Sequence, residues 1–125
     1  MRNLERNKQP LSFVNYVDVE KVKDSNGKYT SEEKVIYGRV QKIGANISGA
    51  KGSSVVEVFG TDISYDKVVS LTKEDFERSK ITENSVFFIN VIASFNADGE
   101  PLYDYRVKRI AETINQVLIA IEKVN

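Results

Sequence analysis

Three patterns in this chain place reactive residue types near one another. Gly44-x-x-x-x-Gly49-Ala50-Lys51 approaches the glycine-rich loop whose amides and lysine cradle phosphate. Asp24-x-Asn26-Gly27 opens like a calcium-binding loop, and six Tyr with six Phe are a supply of rings on which single-stranded bases can stack. Each fails on a detail. A phosphate loop needs Lys directly after the second Gly, then Ser or Thr, then a helix; here Lys51 is displaced by one, and Val55, Val56 and Val58 favour a strand. In the calcium pattern the Gly comes too early and no acidic residue closes the twelve-residue spacing, so Asp24-Ser25-Asn26-Gly27 reads as a turn. Most aromatics alternate with polar residues as core positions do, without basic interleaving beyond Arg106, Lys108 and Arg109.

What is missing narrows the chemistry further. The chain has no His, which removes a histidine general base and the commonest metal ligand, and no Cys, which removes thiolate nucleophiles, zinc-thiolate sites, iron-sulfur clusters and disulfides. Carboxylates remain, but Asp and Glu are scattered singly and form no recognisable constellation. No catalytic, cofactor-binding or metal-binding residue is expected, and the chain is read as a non-enzyme. Eighteen basic residues balance eighteen acidic ones, so no global field concentrates the chain on nucleic acid or an anionic membrane. No apolar run approaches the roughly 20 residues that span a bilayer, and the polar N-terminus lacks a signal core. A protein made in a cytoplasm, without membrane contact, is the expectation.

The elements that must position any site read as strands separated by turns. At 125 residues and 41% hydrophobic, the chain suits one domain with one core. Alternation over Phe13, Asn15, Val17 and Val19 predicts one strand, and Val35 to Ile43 another; Asp24-Ser25-Asn26-Gly27 between them predicts an antiparallel hairpin. Val55 to Phe59 and Ile63 to Leu71 read as extended. Thr72 as N-cap with Asp75 three residues on predicts a short helix over 73–79. Ser85 to Ile92 is apolar on both faces, as in a central strand, and Asn96 to Pro101 is a second hairpin turn before the alternating Tyr103, Tyr105 and Val107. Val117 to Ile121 fits a last strand or a short helix. The fold class expected is mainly β, a small antiparallel barrel or sandwich with at most one or two short helices.

One segment stands apart. Gly44 to Ser54 is small except for Ile47 and Lys51, and ordering it costs about 1 to 2 kcal/mol per residue, with the glycines at the upper end. It is expected to be a loop that is mobile in a lone copy and held only by something outside the chain. The basic residues Arg2, Arg6, Arg106, Lys108 and Arg109 fit solvated surface, or contacts with carboxylates of neighbouring copies.

Asn3 to Gln9, Ala45 to Gly52, Glu57 to Thr61, Tyr65 to Val68, Asp98 to Ala111 and the final Ile119 to Val124, taken together and in order, resemble the head-closure or head-tail connector proteins of tailed phages and phage-derived tail-like elements of Gram-positive bacteria. The resemblance implies a small β-barrel that forms a homo-oligomeric ring, commonly a dodecamer, in the virion neck. The ring would lie between a portal or adaptor ring and a tail terminator or completion protein. It also implies a loop from each copy that meets packaged double-stranded DNA transiently; Ser48, Gly49, Ala50, Lys51, Gly52 and Ser53 are the residues placed there. Residues 1–10 are read as an N-terminal arm and 11–125 as the barrel domain with a projecting loop at 44–54. The alternatives are another neck or tail component, such as an adaptor, a tail terminator or the collar of a contractile bacteriocin, or a barrel that binds single-stranded nucleic acid.

Overall fold

Alternation of apolar and polar residues with a period of two is what a strand needs to face a core on one side, and it governs most of this chain. The computed structural model describes residues 8–49 and 64–124. The strands are β1 (Gln9–Val14), β2 (Tyr16–Lys23), β3 (Tyr29–Tyr37), β4 (Gln41–Gly49), β5 (Lys67–Leu71), β6 (Val86–Phe88), β7 (Tyr105–Glu112) and β8 (Val117–Lys123); one helix, α1 (Lys73–Ser79), joins β5 to β6. Six strands close an antiparallel barrel in the order β1-β4-β5-β8-β7-β6, and β2 with β3 forms a separate two-stranded sheet.

The barrel interior follows from the alternation. Leu11 and Phe13, Val69 and Leu71, Tyr105 and Val107, and Val117, Ile119 and Ile121 point inward, joined by Ala45 and Phe87. The Phe13 and Phe87 rings meet tilted, with centroids 6.2 Å apart, a favourable aromatic arrangement. β8 is buried on both faces, because Leu118 and Ala120 pack outside against Val68, Tyr65 and Ala111. β6 is likewise two-sided: Phe87 faces in, while Val86 and Phe88 pack outside with Val14 under Tyr37, Val40, Ala93 and Tyr103. The C-terminal apolar run, open between strand and helix in the sequence, is therefore a strand.

The helix begins where its cap predicts. Thr72 is extended and its hydroxyl accepts from the Asp75 amide at 3.1 Å, and the helix ends at Lys80 with φ 60°, a left-handed residue. Both predicted turns form and share one design. The Asp24 carboxylate accepts from the Asn26 and Lys28 amides at 2.9 and 3.0 Å, and the Asn96 side chain accepts from the Asp98 and Glu100 amides, each at 2.9 Å. Gly27 and Gly99 supply the positive φ, 79° and 80°, that such turns require.

Five expectations are corrected. Alternation from Phe13 to Val19 predicts one strand, but the chain turns at Asn15: β1 stays in the barrel and β2 leaves it. A second break, at residues 38–40, separates β3 from β4, so the Val35 to Ile43 run is two strands. The run from Ser85 to Ile92 is strand only over Val86–Phe88, since the amides of Ile89 and Asn90 donate to the Asp104 carboxylate, each at 2.8 Å, instead of extending the ladder. The loop placed at 44–54 is strand over Gly44 to Gly49: Gly44 and Ala45 pair with Pro10 and Gln9 of β1, and Asn46 to Gly49 pair with Ser70 to Lys67 of β5. Two flanking strands of the same chain supply the hydrogen bonds that offset the ordering cost. The same pairing takes Gln9 and Pro10 out of the proposed arm at 1–10. Pro10 is tolerated because β6 flanks β1 only from Ser12 onward.

Candidate functional site

The candidate surface starts from the exit of β2–β3. Asn15, buried at the bend, is fixed from three directions: its amide donates to the Ser79 carbonyl at 2.8 Å, its side-chain oxygen accepts from the Ser85 hydroxyl at 2.6 Å, and its carbonyl accepts from the Gly38 amide at 2.8 Å. One side chain thus ties the base of the hairpin to the end of α1 and to the turn before β6. Beyond that base the hairpin is nearly uncovered. Only Tyr16, Val19, Val22 and Tyr37 are half-buried; Val17, Tyr29, Val35 and Ile36 are exposed, with Val17 and Tyr29 above 60%. An isolated two-stranded hairpin is at best marginally stable in water, and this one carries exposed apolar side chains on both strands. A cavity of about 640 Å³ along it is lined by Val19, Glu20, Lys21, Val22, Lys23, Tyr29 and Lys34, with the Lys23 ammonium 5.0 Å from the centre of the Tyr29 ring.

A second uncovered region lies on the connection from β6 to β7, where Val91, Ile92, Phe95 and Leu102 are exposed. This connection packs near the hairpin base: Tyr37 is half-buried, and its hydroxyl is pushed above the ordinary tyrosine range by burial first and by Tyr103 and Glu100 beside it. A cleft of about 400 Å³ opens between Tyr37, Tyr103, the 83–86 turn and the outer side of Arg106, Val107 and Lys108.

Arg106, Lys108 and Arg109 all lie on β7. Arg106 donates through Nε and Nη2 to one oxygen of Glu122 on β8, the first contact at 2.8 Å, and the Lys108 ammonium lies 3.5 Å from the other oxygen. The Arg106 hydrogen bonds above all, helped by Lys108, hold the Glu122 carboxyl below its ordinary value. Arg109, exposed, follows a bulge that leaves Lys108 without a directly opposed residue on β8. Arg2 and Arg6 lie outside the described residues. Of the predicted channel loop, Ser48 and Gly49 are the last two residues of β4, opposite Val68 and Lys67; Ala50, Lys51, Gly52 and Ser53 lie outside the described residues.

Among the described residues no group of three or more acidic side chains is placed to hold a metal ion, and no helix is long and apolar enough to cross a membrane. Phe13, Phe87, Phe88 and Tyr105 are buried in the barrel wall and interior; among the described residues the exposed rings are Tyr29 and Phe95, which stand on separate elements. Sequence reasoning missed the hairpin as a surface because its alternation is that of a half-buried strand. The signal that it stands free was the bend at Asn15, and a lone Asn inside an alternating run does not announce one. Comparison of the chain with protein-family models, with curated proteins and with solved structures finds no match.

Proposed function

We propose that this chain is a non-enzymatic ring subunit of the neck of a tailed phage or phage-like particle, made in the bacterial cytoplasm and placed between portal or adaptor and tail. In this reading the barrel is a rigid body, the exposed surfaces meet neighbouring copies and rings, and the segment from Ala50 onward contributes to closing the DNA channel. The observation that carries it is the uncovered hairpin, a long sheet with apolar side chains in solvent on a closed barrel whose buried polar groups serve structure. Asn15, Ser70, Ser85, Asp104 and Gln116 are all engaged in hydrogen bonds that hold turns and strand ends. Net neutrality suits a conduit, because a strongly basic lumen would hold DNA through counterion release.

The test is location. Antibody labelling of purified particles in negative-stain images is expected to mark the neck, and deletion of the gene is expected to leave DNA-filled heads that leak or fail to join tails. Label confined to the tail tube or the cytosol overturns the reading. Removing residues 50–53 is expected to spare folding and ring assembly while weakening DNA retention.

A further inference from the structure

We propose that the free edge of β3 in one copy adds, as a parallel strand, to the open edge of β7 in a second copy, so that copies join head to tail. The proposal rests on the ring reading for the partner being a second copy; the edges themselves are features of the fold. β6 is only three residues long and pairs with β7 at Val86 with Arg106 and at Phe87 with Tyr105. β7 continues to Glu112 with β8 on its other side, so from Lys108 onward its β6-side edge is met by no strand among the described residues. An edge of this kind offers backbone donors and acceptors to an incoming strand.

The complementary element is on the same molecule. Among the described residues β3 pairs only with β2, so no described strand meets its far edge either. Near the tip the register shifts: between the pairs Lys21 with Glu33 and Lys23 with Tyr29, three β3 residues stand against one on β2, and such a bulge blunts pairing there. The regular stretch runs from Glu33 to Ile36. Read from N- to C-terminus, β3 presents Glu32 and Glu33 and then, after Lys34, Val35 and Ile36; β7 presents Lys108 and Arg109 and then Ile110 and Ala111. Side by side in the same direction, with Glu32 and Glu33 against Lys108 and Arg109, Val35 stands against Ala111, so that acid meets base and apolar meets apolar in one register. An antiparallel arrangement would put the acidic pair toward Glu112 instead. Charge order therefore selects both the partner and the direction. Because the donor and acceptor surfaces differ, the contact is heterologous and closes into a ring when the rotation per copy divides a full turn.

The test uses the full chain in sedimentation velocity over a range of concentrations. Wild type is expected to self-associate. The pair Glu32→Lys with Glu33→Lys, and separately Lys108→Glu with Arg109→Glu, are each expected to weaken association at least about tenfold, and the four-fold swap is expected to recover most of it. Association that persists unchanged in both charge-reversed proteins overturns the docking while leaving the neck assignment to the particle images. A wild-type chain that stays monomeric throughout overturns it too. Since the chain has no Cys, a second readout is clean: Glu33→Cys mixed with Arg109→Cys is expected to give a mixed disulfide dimer on oxidation, and the two substitutions in one chain a ladder of multimers. Only like-with-like dimers, or none, refute the pairing.

Discussion

Three side chains show how single residues set local structure and its response to pH here. Asn15 accepts from one buried group and donates to another, so Asn15→Ala leaves the Ser79 carbonyl and the Ser85 hydroxyl without that partner; a loss of about 2 to 4 kcal/mol is expected in urea unfolding. The effect should be stability alone, with the barrel's circular dichroism unchanged below the transition. Glu122 carries the pH dependence. Its carboxyl is held below its ordinary value of 4.5 in the folded chain, so the unfolded chain binds more protons in acid. Its stabilising contribution is complete above about 4.5 and is lost as pH falls through the folded value; Glu122→Gln is expected to flatten stability against pH below that point. Tyr105 works in the opposite range, since burial, with Asp104 and Asp66 nearby, raises its hydroxyl above the ordinary 10.0. The unfolded chain releases that proton first, so stability declines above pH 10, and Tyr105→Phe is expected to reduce the decline, with Tyr37, raised in the same sense, still contributing to it.

At the scale of elements, the hairpin is separable from the barrel. None of its residues belongs to the interior cluster, and the Asn15 carbonyl with the Gly38 amide already closes its base. Replacing residues 18–35 by a short turn is expected to leave the barrel folded, with a change below about 2 kcal/mol in thermal or urea unfolding, and to abolish self-association. Much of this level was legible from residue types. Asn26-Gly27 and Asp98-Gly99 announced turns because few residues accept positive φ, and Thr72 with Asp75 announced a helix start because a hydroxyl there satisfies an otherwise unpaired amide. Gly44 to Gly49 was misread for an equally physical reason. Small residues predict a loop when a segment stands alone, whereas β1 and β5 reach this one from distant parts of the chain and impose a strand. There the small side chains have a use: Lys8 crosses over Gly44, its Cδ 3.4 Å from where a β-carbon would sit, to reach Asp75 of α1 at 3.5 Å. The basic cluster on β7 was legible as charge, but the open edge beside it was not, because it follows from where β6 stops.

At the scale of the whole molecule, stability rests on the packed apolar interior of the barrel. Phe87 stands at its centre, fully buried against Phe13, and Phe87→Ala is expected to cost about 3 to 5 kcal/mol in urea unfolding. The same region is also where the wall is thinnest. β5 and β8 are zipped along their length, from Lys67 with Ile121 to Leu71 with Val117, whereas the stave that completes the circumference holds to β7 only at Val86 and Phe87. A tube joined this way has a seam, and thermal breathing starts at a seam. Deuterium should therefore enter the amides of Val86 to Phe88 well before those of Val117 to Ile121, the wall parting at this line first while the β5–β8 side stays zipped.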